Sequence, residues 1–467
     1  MKGLIAALGF IAPALIVCCA TYAAPAAEAS LVVHEWGTFT SFQDLDGSTI
    51  PGINVDDEPV PSFVHRLSAL PILTDRREFV GSGKGAGVCH KDVTLRLETP
   101  VLYFYPSPSF RRNEPIDVQA NFPGGWLTEY FPNARTEVPG FPDRLSAATQ
   151  GSLKWSDLRL IDGALTSTTE TVWLAPRSVQ SAVVSSADGK ESEKYLFYRG
   201  LGHLDAPLVT QRSGDSVTIA LRNNEAELDQ FPQAWLVRVR DDGRVWYRSW
   251  DGGSSDGGRV SISLADSQAA DARGLGELRD EISRALISRG LYADEAQAML
   301  NTWQKSYFAS AGLRLFFLLP QVWTDAHLPL SLSVPADISR VMMGRIELIS
   351  PEQQAALDSL RALPDSALDV APYEQAFKGM ETLTEPESEA QWQKVMKAYE
   401  SRPSLFEAYR ALGLKVPESA RLYESLGRFR DPLLGYRLAS ATEPDVRARL
   451  EIIIRAFSVC VPPFSPQ

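Results

Sequence analysis

The sequence predicts a multidomain α+β protein with an antiparallel, β-sandwich-like N-terminal region, a mixed middle region and an α-helical C-terminal segment. Residues 31–265 hold seven of the ten tryptophans and contain many short runs of β-branched and aromatic residues. Near residue 265 the spacing of apolar residues lengthens from two toward four, which indicates helices. Only 4 of the last 117 residues are glycine, against 28 of the first 350, so turns that need positive φ become scarce.

The first 26 residues have the three parts of a secretory signal peptide. Lys2 supplies a positive charge, residues 3–17 form an apolar run, and Ala24-Pro-Ala26 matches a small-residue cleavage site. The sequence therefore predicts export to the periplasm or beyond the cell. A retained membrane anchor is the alternative interpretation of the same apolar run.

Two further expectations concern the exported chain. No later stretch approaches ~18 uninterrupted apolar residues, so the mature protein is expected to have no transmembrane segment. Cys18 and Cys19 raise the alternative of a lipoprotein, in which a lipidated cysteine becomes the new N-terminus. Val17 argues against it, because lipoprotein cleavage normally requires a small residue at that position.

Cys89 and Cys460 are the two cysteines that remain after export. In an oxidising compartment they form the one candidate disulfide within the chain. Such a bond would join the first domain to the C-terminal tail and would restrict the unfolded chain. Two buried free thiols are the alternative.

The N-terminal strands are predicted at residues 31–42 and 93–105, where β-branched and aromatic residues dominate. Residues 233–250 are predicted to form a hairpin around the turn Asp241-Asp-Gly243. Many short strands separated by glycine and proline favour antiparallel sheets over a βαβ series. A second β-rich unit is predicted to begin at residue 157.

The later elements differ in type. Residues 272–304 are predicted to form helices that Gly290 interrupts, and strands return at residues 312–319 and 340–349. Beyond residue 350 the chain is predicted to be wholly helical. The predicted units are a signal peptide, a β-rich domain, a second β-rich unit, a mixed α/β region and an α-helical segment, at residues 1–26, 27–156, 157–265, 266–350 and 351–467.

The histidines are the most informative residues for a site. Three of the five, His34, His65 and His90, lie within one eighth of the chain, and Glu98 follows His90 by eight residues. Three imidazoles and a carboxylate suit Zn²⁺, Cu²⁺ or non-haem iron, so these four residues are the predicted metal ligands. Glu35 would then hydrogen-bond and orient one of the imidazoles. Separately hydrogen-bonded structural histidines are the alternative, because no local spacing forces these residues together.

Two other patterns suggest ligands. Carboxylates are concentrated at residues 44–47 and 56–58, where they could hold Ca²⁺, and a solvated acidic loop is the alternative. Five aromatic residues could form a face that stacks on sugars, although such residues more often belong to the core of a β-rich domain. They are Trp126, Tyr130, Trp246, Tyr247 and Trp250.

Several sequence blocks occur together along the chain. The first is His34-Glu-Trp-Gly-Thr-Phe-Thr40, and the others are residues 98–105, 124–132, 198–202, 302–303, 312–314 and 343–347. Together they resemble a group of predicted secreted bacterial proteins that open with this same first block. The resemblance runs from about residue 31 to residue 350 and implies export and a shared architecture. The group has no established activity, so the resemblance implies no catalytic role.

The net charge of the chain limits the possible partners and functions further. Lys and Arg number 46 against 58 Asp and Glu, a net charge of −12 with a pI near 5.1. Such a surface repels phosphate backbones, so no nucleic-acid partner is expected. The first remaining class is a binding or scaffold protein that engages a polysaccharide or a protein through a sheet face or the helical tail. The second is a metal-dependent hydrolase or oxidoreductase with its site in the N-terminal β-rich domain.

Overall fold

A computed structural model describes residues 30–457 with internal gaps. The predicted signal peptide, Cys18, Cys19, Cys460 and the acidic residues 56–58 lie outside the described residues. The gaps are residues 54–59, 68–81, 84–85, 88, 113, 164, 166, 169–170, 223–227, 229, 254–257, 266–273, 369–383 and 401–408.

The strands and helices follow each other in a clear order, with strands dominating up to residue 263 and helices after residue 350. The strands are β1 (Leu31–Gln43), β2 (His65–Arg66), β3 (Ser82–Gly83), β4 (Ala86–Gly87), β5 (Leu95–Pro106), β6 (Ile116–Pro123), β7 (Gly125–Phe131), β8 (Arg135–Glu137), β9 (Gln150–Ile161), β10 (Val183–Ser185), β11 (Ser192–Glu193), β12 (Leu196–Gly202), β13 (Leu208–Ser213), β14 (Ser216–Leu221), β15 (Ala234–Val239), β16 (Val245–Trp250), β17 (Arg259–Ser263), β18 (Gly312–Leu319), β19 (Leu330–Leu332) and β20 (Asp337–Leu348). The helices are α1 (Thr171–Arg177), α2 (Leu275–Ser288), α3 (Ala293–Thr302), α4 (Gln321–His327), α5 (Pro351–Ala362), α6 (Glu385–Glu400), α7 (Glu418–Ser425), α8 (Arg430–Ser440) and α9 (Pro444–Phe457). A π-helix spans Gln304–Ala309, and short 3₁₀ helices span Asp365–Ala367 and Gly427–Phe429.

Most strands join one 15-stranded mixed sheet. Its main path is β11-β10-β9-β7-β12-β5-β1-β20-β18-β15-β16, with β2, β6 and β8 paired to strands of this path and β19 paired to β6. At its centre β1 and β20 run parallel, whereas β1 and β5 are antiparallel. Because β1 is buried along nearly its whole length, its ionisable side chains, His34 and Glu35, need hydrogen-bond partners inside the protein.

The structure confirms a mixture of helices and sheets with a helical C-terminal segment. A β-sandwich is not confirmed, because strands from three of the predicted units lie side by side in one open sheet. Two small sheets accompany it, β13-β14-β17 and β3-β4. Within the described ranges, none of the helices combines the length and the apolar character that a membrane crossing requires.

Three apolar clusters pack against the sheet. The first covers one face and includes Val33 of β1. The second lies on the opposite face, where Trp36 and Tyr103 pack with residues of α2 and α3. The third joins one end of the sheet to the C-terminal helices and includes Phe42 and Phe429. The alternation of side chains along β1 therefore places His34 on the face that α2 and α3 cover.

Candidate functional site

His34 lies on β1, near the centre of the large sheet. Its register partners are Ser339 on β20 and Tyr103 on β5, which share its face of the sheet. The Nδ1 atom of His34 lies 2.8 Å from Oε2 of Glu295, in the first turn of α3. The two residues are 261 positions apart in the chain, so the tertiary fold creates this pair.

Glu295 is fully buried and accepts three hydrogen bonds. Its Oε2 accepts the backbone N–H of Tyr292 at 2.6 Å in addition to the imidazole, and its Oε1 accepts the Tyr105 hydroxyl at 2.9 Å. The bond to Tyr292 belongs to a capping box, in which a glutamate at the third helical position satisfies the N-cap amide. The start of α3 therefore holds this carboxylate in place.

Tyr105 remains a hydrogen-bond donor to Glu295 at physiological pH. Burial, together with the neighbouring Glu295 carboxylate, raises the pKa of the Tyr105 hydroxyl well above its ordinary value. The same two causes raise the pKa of the fully buried Tyr103 hydroxyl. Neither phenol ionises in the working range, so neither competes with Glu295 as a negative charge.

The imidazole of His34 lies just below the protein surface. His34 is 3% exposed, and Tyr292, whose ring centroid is 4.5 Å from the imidazole centroid, is 46% exposed. Tyr105 packs on the imidazole at a centroid distance of 5.2 Å. With Nδ1 donating to the carboxylate, Nε2 carries the lone pair, and no other described residue hydrogen-bonds to the ring.

This His34–Glu295 dyad is suited to moving a proton. The buried carboxylate selects the tautomer with a proton on Nδ1, orients the ring and stabilises the imidazolium that forms when Nε2 takes up a proton. A histidine held in this way acts as a general base toward water or a hydroxyl group, and then as a general acid. The arrangement needs no metal ion for that step.

His65, another predicted metal ligand, has a carboxylate partner of its own. Its Nε2 lies 2.7 Å from Oε1 of Glu191, and its ring stacks on Tyr130 at a centroid distance of 5.8 Å. The side chains of this pair are 33% and 25% exposed, against 4% and 0% for the His34–Glu295 dyad. The two pairs therefore have similar chemistry in different environments.

His90 and Glu98, the remaining predicted ligands, also have separate partners. His90 packs edge-on against Trp126 at a centroid distance of 5.8 Å, and Glu98 forms an ion pair with Arg96 at 2.6 Å. Among the residues that the structure describes, no three His, Cys, Asp or Glu side chains are close enough to share a metal ion. The structure does not bring the four predicted ligands together, and we propose no Zn, Cu or Fe site on them.

Glu35 does not orient an imidazole, which corrects the role predicted for it. Its side chain points to the opposite face from His34, where its Oε2 accepts the Nε–H of Arg340 at 2.6 Å and its Oε1 accepts the Tyr198 hydroxyl. Burial and the Glu35 carboxylate raise the pKa of Tyr198, so that phenol stays a donor. The carboxylate beside His34 is therefore that of Glu295.

The predicted calcium ligands and the predicted disulfide fall partly outside the described residues. Asp44 forms an ion pair with Arg437 at 2.6 Å, and Asp46 accepts the backbone N–H of Ser48 at 2.9 Å. The first contact fixes α8 against the segment that follows β1, and the second belongs to a turn. Cys460 is not among the described residues, so its pairing with Cys89 stays a prediction.

The aromatic residues considered for sugar stacking belong mostly to the core. Trp126 is fully buried, Tyr130, Trp246 and Tyr247 are less than a tenth exposed, and Trp250 is partly buried. A sugar ring needs an open aromatic face, which these four buried side chains do not offer. The alternative interpretation as core residues describes them better.

A second group of buried ion pairs, separate from the dyad, joins β18 and β20. The Nε atom of Arg345 donates to Glu347 at 2.9 Å, and Arg314 lies 3.4 Å from the same carboxylate. Arg428, from the C-terminal segment, approaches Glu347 at 3.6 Å. Arg345 also stacks over the ring of Tyr307 in the π-helix at 4.1 Å. These contacts join the sheet to the π-helix and the C-terminal helices, which is a structural role.

Sequence reasoning selects His34 but not Glu295. The run Tyr292-Ala-Asp-Glu295 follows Gly290 and signals a helix start, where an acid at the third position is ordinary. That signal explains a carboxylate at the helix start without any catalytic role. Only the position of α3 above β1 and β5 shows that the same carboxylate reaches His34.

No model of a known protein family matches the chain, and no curated protein matches its sequence. The geometry of the dyad is therefore the basis on which a function can be argued.

Proposed function

We propose that this chain is an exported hydrolase of carboxylic esters in which His34 is the general base. One observation carries the proposal: Nδ1 of His34 lies 2.8 Å from the fully buried Glu295 carboxylate, and no other described residue hydrogen-bonds to the imidazole. In His34 the Glu295 carboxylate holds Nδ1, whereas Nε2 can accept a proton.

The proposed reaction needs only water as co-reactant. Nε2 of His34 removes a proton from a water molecule as the water oxygen attacks the ester carbonyl carbon. The tetrahedral intermediate then collapses, the bond to the leaving alkoxide breaks, and the imidazolium returns its proton to that oxygen. The products are a carboxylic acid and an alcohol. Glu295 orients the imidazole and stabilises the imidazolium.

The first experiment measures hydrolysis of p-nitrophenyl acetate by the mature protein and by His34→Gln and Glu295→Gln. We expect each variant to lose about 100-fold or more in kcat/KM, because general-base catalysis contributes about 10²- to 10⁴-fold. Gln at position 295 preserves the shape of the side chain and its place in the helix start. Unchanged circular dichroism and melting temperature would show that the loss is chemical.

The matched control is His65→Gln, which removes the more exposed histidine–glutamate pair. It is expected to retain wild-type kcat/KM. Wild-type protein that hydrolyses no ester, or a His34→Gln variant that is as active as His65→Gln, would contradict the proposal. The binding or scaffold role predicted from the sequence would then be the proposal to pursue, by pull-down with glycans and proteins.

A further inference from the structure

We propose that Ser339 is the nucleophile that the His34–Glu295 dyad activates, so that the ester is hydrolysed through an acyl group bound to the serine oxygen. This inference rests on the proposed function and adds a catalytic residue to the same site. Ser339 is the third residue of β20, and His34 is the fourth residue of β1. A hydroxyl, an imidazole and a carboxylate that act in sequence divide ester hydrolysis into two easier steps.

The register of the large sheet places Ser339 beside His34. The two residues are directly paired in the parallel β1–β20 ladder. Paired residues point to the same face, and neighbouring strands lie about 4.8 Å apart. The neighbours of Ser339 show the same orientation, because Ile338 packs with the apolar cluster of the opposite face and Val341 belongs to the cluster that α2 and α3 share. The Ser339 hydroxyl is therefore next to the imidazole.

The turn between α2 and α3 reaches both side chains. A Cβ built on Gly290 would lie 3.5 Å from the Ser339 hydroxyl oxygen. Two residues later, the ring centroid of Tyr292 lies 4.5 Å from that of the imidazole, and the Tyr292 amide donates to Glu295. One short turn thus contacts the hydroxyl, the imidazole and the carboxylate, which places the three groups together independently of the strand register.

The Ser339 hydroxyl is open to a substrate and holds no other group in the described part of the chain. The residue is partly exposed, and none of the described residues hydrogen-bonds to its hydroxyl. Gly290, with a φ of +112°, adds no side chain over it. Rotation about χ1 can therefore turn the hydroxyl toward the lone pair on Nε2 of His34. Such a hydrogen bond often tightens only when substrate is bound.

The proposed reaction has two halves. Nε2 of His34 takes the hydroxyl proton as Oγ of Ser339 attacks the ester carbonyl carbon, and the alkoxide then leaves with that proton as an alcohol. The acyl group is now bound to Oγ as an ester. Water attacks this acyl-serine ester by the general-base step described above, which releases the carboxylic acid and returns the proton to Oγ.

The first test uses diethyl p-nitrophenyl phosphate, which transfers its diethylphosphoryl group to an activated serine and releases p-nitrophenolate. The bond between Oγ and phosphorus is hydrolysed slowly, so the adduct accumulates even where an acyl group would not. We expect one such group per chain, located at Ser339 by tandem mass spectrometry of the tryptic peptide, and a proportional loss of p-nitrophenyl acetate hydrolysis. Ser339→Ala and His34→Gln should both remain unlabelled.

Kinetics distinguish a nucleophile from a structural residue. Ser339→Ala is expected to lose about 100-fold or more in kcat/KM for p-nitrophenyl acetate. The double variant that also carries His34→Gln should lose no more than His34→Gln alone, because residues that act as one unit are not additive. The matched control is Ser249→Ala, which removes another partly exposed serine from β16 of the same sheet and should retain wild-type kcat/KM and labelling.

The possible failures are distinguishable. An active wild type that is not labelled at Ser339, or a Ser339→Ala variant as active as Ser249→Ala, overturns this inference and leaves the proposed function standing, with water as the direct nucleophile. A double variant in which the two losses multiply would show that the residues act independently and would also overturn the inference. A wild-type protein that hydrolyses no ester overturns both proposals.

Discussion

At the scale of single residues, the surroundings of Glu295 explain why the dyad is ordered. A carboxylate that leaves water loses several kcal/mol of hydration energy unless hydrogen-bond donors replace the water. Here His34, Tyr105 and the Tyr292 amide replace it. The carboxylate in turn accepts hydrogen bonds from these three donors, of which the His34 imidazole is buried and the other two are partly buried, so the whole group is stable in one arrangement.

His90 gives a prediction for pH. Burial lowers the pKa of its imidazole below the ordinary value of 6.5. As the pH falls through that value, the unfolded chain takes up a proton that the folded protein accepts only at lower pH, so the free energy of unfolding decreases. We expect stability to fall between pH 7.5 and 5.5, and His90→Gln to reduce the slope, as urea denaturation at each pH would measure. Identical slopes for the two proteins would contradict the prediction.

Single residues also show which parts of the candidate site sequence reasoning can predict. It selects His34 as one of three histidines that lie within one eighth of the chain. It groups His34 with His65 and His90 because they are close in the chain, whereas the fold gives each a different partner. Proximity along the chain is a weak guide to proximity in a sheet whose central strands are some three hundred residues apart.

At the scale of elements, glycine positions show how closely β7 and β12 approach. A Cβ on Gly200 of β12 would lie 2.4 Å from the carbonyl oxygen of Trp126, a backbone atom that cannot move aside. A Cβ built on Gly276, in the first turn of α2, would have nothing within 4 Å. The two glycines therefore differ in whether a methyl group can be accepted.

Gly200→Ala and Gly276→Ala should change stability in opposite directions. The first is expected to lose about 1–3 kcal/mol of unfolding free energy, because overpacking forces the backbone to shift. The second should gain up to about 1 kcal/mol, since alanine loses less conformational freedom than glycine in a helix. Chemical denaturation of both variants measures the two changes. An unchanged unfolding free energy in Gly200→Ala would contradict the prediction, because it would show that the strands can move apart at this point without loss of stability.

Local pattern predicts individual elements well in this chain. The strand predicted at residues 31–42 corresponds to β1, and the hairpin predicted around Asp241-Asp-Gly243 corresponds to β15 and β16. The partners of these strands are not encoded locally. The pairing of β1 with β20 joins residues about 305 positions apart, and no spacing of apolar residues indicates it. The sequence predicts a sandwich because short antiparallel strands are common to sandwiches and to large open sheets.

At the scale of the whole molecule, the sheet and the C-terminal helices share one apolar cluster. Phe42 of β1 packs against Phe429 at a centroid distance of 4.9 Å, within the cluster that also contains Trp126 and residues of α5 and α9. Ion pairs reinforce the contact, with Arg437 of α8 bound to Asp44 at 2.6 Å. Separating the two parts would expose this shared core to water, so they are expected to unfold together.

Phe429→Ala tests that coupling. The side chain is 1% exposed, and removal of a buried phenylalanine costs about 3–5 kcal/mol. If the core is shared, the variant destabilises the sheet and the helices equally. Urea unfolding followed by far-ultraviolet circular dichroism and by tryptophan fluorescence should then give one transition, shifted to lower urea by the same amount for both probes. Leu174→Ala, at an exposed position, should leave both curves in place. A helical signal that is lost first, while the fluorescence of the sheet tryptophans stays at the wild-type midpoint, would mean that the C-terminal helices fold as a separate unit.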